Sequence, residues 1–155
     1  MVKKVIAHIG ILLLFFSCSG EENYMGKKDM WLKAKAWEKK EWIKSGWKEA
    51  QFEDAQKKDP RFEMLLAASI GEGPTCKNYN DPIGCIGVHN VLVRKVEFTL
   101  LEFDSEINAI SLTKRIRGYH KFNWVFDEVR GEPVLEDFVK VAFGAKMVGK
   151  KVKEK

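Results

Sequence analysis

The side-chain pattern changes period part-way along the chain, and that change restricts the fold more than any motif does. Residues 27–58 are rich in Lys, Glu, Ala, Gln and Trp and hold no proline, a helix-forming composition. From Ile86 the pattern changes, and Val91 to Phe103 is rich in Val, Leu, Phe and Thr, a strand composition. From Val134 to Val148 apolar residues return at helical spacing. Helices, then strands, then a helix within 155 residues predict a single α+β domain.

In the first helical stretch, Leu32, Ala36, Ile43, Trp47 and Ala50 fall on one stripe and are the expected buried face. Ser45-Gly46 is a place to kink or split the helix. Four of the five tryptophans lie between Trp31 and Trp47. Trp31 and Trp42 fall off the stripe, and with Trp37 they are the candidate contact surface for a membrane or a partner. Arg61 to Ile70 reads as a second helix after Asp59-Pro60, and Gly71-Glu72-Gly73-Pro74 ends it.

The sheet is expected as an antiparallel meander of about three to four strands. Asp104-Ser105-Glu106 reads as a turn, after which Ile110, Leu112 and Ile116 predict another strand. Gly118-Tyr119-His120 marks a break. Phe122, Trp124 and Phe126 then alternate with polar or smaller residues, which puts three aromatics on one pleat face. They are candidates for the core, or for the lining of a ligand pocket. In the last helix, Leu135, Phe138, Ala142 and Ala145 lie near one face, with Glu136 and Asp137 in the first turn, where the helix dipole favours acids. The helix-helix-sheet order is similar to that of a cone-shaped, nuclear-transport-factor-2-like fold.

The N-terminus has a separate logic. Lys3 and Lys4 precede an apolar run from Val5 to Phe16, about 12 residues against the roughly 20 that span a bilayer. That is the layout of a secretory signal. Leu14-Phe15-Phe16-Ser17-Cys18 resembles a bacterial lipobox, where the cysteine is acylated and becomes the mature N-terminus. Ser17 and Cys18 match that pattern. Phe15 and Phe16 depart from it, since Leu and a small residue are usual there. Such relaxed lipoboxes are similar to those of spirochaete lipoproteins. The resemblance implies a signal peptide over residues 1–17, lipid (palmitate) attachment at Cys18 and a bacterial cell-envelope address. We expect anchoring in the outer membrane, with the domain facing the periplasm or the surface. Ser19 to Asn23 are small and polar, as in a flexible tether, expected over 18–26, with the domain over 27–148 and a basic tail over 149–155.

If lipid takes Cys18, Cys76 and Cys85 remain as an even pair in an exported chain, which favours a disulfide. Asn78, Asn80, Asp81, Pro82 and Gly84 between them are turn formers. Metal binding with His89 is the alternative, but the cysteine spacing does not suit a zinc site. The formal net charge is +5. Lys3 and Lys4 leave with the signal, which leaves +3, and five lysines after Gly144 against Glu154 carry +4, so the rest of the mature chain is close to neutral. A solvated tail explains this, and contact with anionic headgroups is the sharper reading. No nucleic-acid recognition motif is present.

The residues 18–155 hold two histidines, His89 and His120, and no nucleophile-elbow, zincin or phosphate-loop motif. We therefore expect no enzyme, no cofactor and no catalytic residue, but an envelope lipoprotein with a binding or structural role. The alternatives are a lipid- or small-ligand-binding module using Phe122, Trp124 and Phe126, and a small cone-shaped enzyme pairing His120 with Asp127.

Overall fold

A computed structural model describes residues 23–58, 74–94 and 96–149. The signal segment, Cys18, the helix expected over 61–70 and the tail beyond Gly149 lie outside them. The fold is α+β, as expected. Helices α1 (Lys27–Lys44) and α2 (Glu49–Lys58) come first. A 3-10 turn (Cys76–Tyr79) then leads into β1 (Cys85–Val93) and β2 (Val96–Phe103). The rest runs α3 (Glu106–Ile116), β3 (Tyr119–Lys121), β4 (Trp124–Asp127), α4 (Pro133–Phe143) and β5 (Lys146–Met147). The five strands form one antiparallel sheet in the order β1-β2-β4-β3-β5.

Both faces of the sheet are covered. On one face α1 brings Met30, Ala34 and Trp37, and α4 brings Leu135, Phe138, Val139 and Phe143. They pack on Val91, Phe98, Leu100, Trp124 and Phe126. On the other face, Ala109 and Leu112 of α3 close over Leu101, Phe103 and Val125. Two-sided burial is why β2 is buried continuously from Phe98 to Phe103 and lacks an alternating pattern. Register puts Leu100 opposite Phe126 and Glu102 opposite Trp124, so those four side chains share the α1/α4 face.

Several expectations are corrected. The stripe of Leu32, Ala36, Ile43, Trp47 and Ala50 faces solvent. The chain does break at Ser45-Gly46, so Trp47 lies in the connection and Ala50 in the next helix. The buried stripe of α1 is Met30, Ala34 and Trp37, and Trp37 is what selects it.

The strand expected through Ile110, Leu112 and Ile116 is helix α3. The Ser105 hydroxyl caps it, accepting from the Asn108 N–H. Its buried positions, Ala109, Leu112 and Thr113, recur at three- and four-residue steps.

The single stretch Val91 to Phe103 is a hairpin, turning at Arg94, whose φ of 48° is left-handed. No glycine or asparagine marks that turn. The last helix ends at Phe143 because Gly144 takes a left-handed φ of 63°. The chain beyond it pairs as β5 with β3. The expected face holds: Leu135, Phe138 and Ala145 are buried and Ala142 packs against them, with Val139 and Phe143 added.

Finally, residues 23–26 are docked on the domain. Met25 is buried, its N–H donates to Asn123 Oδ1 at 2.7 Å, and its carbonyl accepts from the Trp124 indole. Asn23 donates to Glu106 at 2.8 Å. Residues 23–26, expected as part of the tether, thus belong to the folded domain.

Candidate functional site

Where α1 gives way to α2, the chain builds an aromatic corner. The Ser45 hydroxyl and N–H bond the Glu41 carbonyl, and the Trp47 N–H bonds the Trp42 carbonyl. The reversal is thus tight enough to bring Trp47 edge-on to Trp42, with ring centroids 4.4 Å apart. Phe52 of α2 is buried beneath, 6.0 Å from Trp42. Lys39 ties the two helices together through ion pairs with Glu49 and Glu53. The β1–β2 turn supplies the opposite wall. Arg94 reaches Glu41 at 2.9 Å, and Lys44 meets the other oxygen of the same carboxylate at 2.5 Å. The hydrogen bond from Lys44, with the two positive charges, holds the Glu41 carboxyl below its usual range.

The result is an open cleft of about 350 Å³ lined by Glu41, Trp42, Ser45, Trp47 and Arg94. Trp47 is 41% exposed in it. An aromatic wall with a charged rim suits a partner that presents an apolar group beside a charge. Its one hydroxyl among the lining residues, that of Ser45, is committed to the Glu41 carbonyl.

The three candidate tryptophans have different fates. Trp42 is a wall of this cleft. Trp31 is half-buried with the Lys35 ammonium 5.1 Å from its ring centroid. Trp37 is not a contact residue. It is buried, edge-on to Phe138 at 4.9 Å, donates to Asp137, and lies under the Arg94 guanidinium. Trp47 and Arg94 are the residues that sequence reasoning missed. Trp47 had been given to the core stripe, and Arg94 meets the tryptophans only through the hairpin turn.

The aromatic sheet face does not line a pocket. Trp124 and Phe126 are fully buried, and the void beside Phe126 is about 10 Å³, room for no more than a single water. Phe122 sits in the β3–β4 turn with a left-handed φ of 52°, half-buried, with the Lys121 ammonium 4.2 Å from its ring centroid.

Cys76 and Cys85 form a disulfide, so neither thiol is left to join His89 on a metal. His89 instead faces Glu102 at 3.8 Å, with Lys27 at 3.4 Å from the same carboxylate. Burial, and then the Lys27 charge, push His89 below its usual range.

His120 and Asp127 are not joined by a hydrogen bond. Asp127 accepts from the Tyr79 hydroxyl at 2.9 Å, which, with burial, pushes the tyrosine above its usual range. His120 lies opposite Val125, and burial lowers it too. Among the described residues no group of three or more metal-ligating side chains is assembled, and no helix is long and apolar enough to cross a membrane.

No protein-family model, curated protein or solved structure matches the chain. The nuclear-transport-factor-2-like analogy is therefore not confirmed.

Proposed function

We propose that this is a lipid-anchored envelope protein with a non-enzymatic binding role, and that the α1–α2 corner is where it holds a protein partner. The observation that carries the reading is the exposure of Trp47 against Trp42 in an open cleft rimmed by Arg94 and Glu41. A large aromatic kept accessible beside an arginine is the chemistry of an interface hot spot. The disulfide supports the address, because such bonds persist in oxidising compartments. The lipobox-like Leu14 to Cys18 supports the anchor, in the outer membrane on this reading.

The test is photocrosslinking in cells, with benzoylphenylalanine at position 47 or at Val141, an exposed residue of α4. A discrete adduct at 47, absent at 141 and lost on adding Arg94→Ala, is expected. The same ladder from both positions removes the cleft as the contact surface. Intact mass of protein extracted from its own membranes checks the anchor. Residues 18–155 plus acyl chains, about 2 Da heavier on reduction, is the expected species.

A further inference from the structure

One end of the domain collects exposed aliphatic side chains, and it is the end from which the chain leads back to Cys18. There β1 begins, β2 finishes, α3 starts and the β3–β4 turn lies. The parts are bound together. The Phe103 N–H donates to the Asn123 carbonyl, and the Asp104 N–H to that of Gly84. Asn123 holds Met25, and Glu106 holds Asn23. Ile83 and Ile107, at 83% and 80%, are the most exposed large apolar residues among the described ones. Ile83 adjoins Gly84, which lies against Asp104 and Asn108, and Ile107 adjoins Asn108. Ile86, at the bulge opposite Phe103, and Tyr24, beside Asn23, are also exposed.

We infer that this end rests on the bilayer, with Ile83, Ile107 and Tyr24 entering the headgroup region. The inference rests on the reading of Cys18 as the lipidated residue. Five residue steps separate Cys18 from Asn23, and a fully extended chain covers at most about 18 Å over that span. The headgroup layer of one leaflet takes up about 5–7 Å of it. Even fully extended, that span leaves the docked end at most about 11–13 Å beyond the headgroups, and any shorter conformation lets it rest on them. Charge does not draw the end down, because Asp81, Asp104 and Glu106 offset Lys27, Lys28 and Lys121. Hydrogen bonds from Asn108 and Ser105 hold the Asp104 carboxyl below its usual range. The contact is apolar, and proximity drives it.

The geometry also fixes what faces away. Lys27 pairs with Glu102 near the start of β1, while Glu41 pairs with Arg94 just past its end. Helix α1 therefore runs from the anchored end to the cleft, about 27 Å for its 18 residues.

The full-length chain, purified from membranes, is placed in vesicles of phosphatidylethanolamine and phosphatidylglycerol. Benzoylphenylalanine stands at Ile83, Ile107 or Leu92, an exposed residue six positions beyond Ile86 along β1 and about 20 Å from it. Lipid adducts at Ile83 and Ile107, lost at Leu92, are expected. Acylated protein that gives equal adducts at all three positions, or adducts at Leu92 alone, overturns the inference and leaves the anchor standing. Acylated protein with no adduct at either isoleucine does the same. A mass without acyl chains overturns both.

Discussion

The Trp124 indole donates its N–H to the carbonyl of Met25, a residue 99 positions earlier in the chain. Together with Asn123, which accepts the Met25 N–H, it makes the first described residues part of the folded core.

Asn123→Ala tests that connection. The side chain is fully buried and also donates to the Phe103 carbonyl at 3.3 Å. Alanine leaves a buried N–H and a buried carbonyl without partners, at about 1–3 kcal/mol each, so a loss of about 2–6 kcal/mol is expected in urea unfolding. Asn123→Ser, which keeps a shorter polar group, should lose less.

Gly84→Ala is expected to destabilise. Gly84 has a left-handed φ of 76°, and a Cβ there meets the Asp104 carboxylate at 2.2 Å. The backbone penalty should cost about 1–2 kcal/mol, and displacing the exposed Asp104 side chain should add little to it. Differential scanning calorimetry reads this directly. Adding Asp104→Ala should recover that small packing part and leave the conformational part.

Stability should fall on the acid side of neutrality. His89 and His120 are both held below their usual range by burial, so the unfolded chain protonates them first as pH drops. The unfolded state then binds more protons, and stability rises with pH in that window. The contribution is complete above about pH 6.5, the unperturbed value, and declines below it. Urea midpoints for the native chain should fall from pH 7 toward pH 5. His89→Gln with His120→Gln should flatten that slope.

Breaking the disulfide should loosen the molecule without dismantling it. Cys76 and Cys85 close a short loop leading into β1, and its entropy is worth about 2–3 kcal/mol. Cys76→Ser with Cys85→Ser should unfold at correspondingly lower urea while retaining the far-UV circular dichroism of the native chain. The Asp127 partner Tyr79 lies in that loop, so hydrogen exchange should rise first at the 3-10 turn.

The parts of the fold that were legible carry strong local signals. Ser45-Gly46 announced the split between the first two helices, and Trp124 and Phe126 announced a strand, although Phe122 falls in the turn before it. Helix α3 was missed because Ile110 and Leu112 alternate as a strand does, while the deciding evidence was the cap, Ser105 with Asn108 three residues on. The β1–β2 turn was missed because Arg94 adopts a left-handed φ without the glycine or asparagine that usually marks one. That miss also hid the cleft. Trp42 and Trp47 were visible as a cluster, but which faces they show depends on where α1 ends and on an arginine some fifty residues away. Trp37 was indistinguishable from them by spacing, and only the approach of α4 buries it.

The docking of Met25 has a mechanical consequence. Asn123 and Trp124 belong to the turn and first residue of β4, the middle strand of the sheet. A pull on the chain ahead of Asn23 is therefore passed through Met25 to the end of the middle strand and not to an edge strand. An edge strand peels away one hydrogen bond at a time, whereas this attachment must drag a buried methionine and an indole out of close packing together.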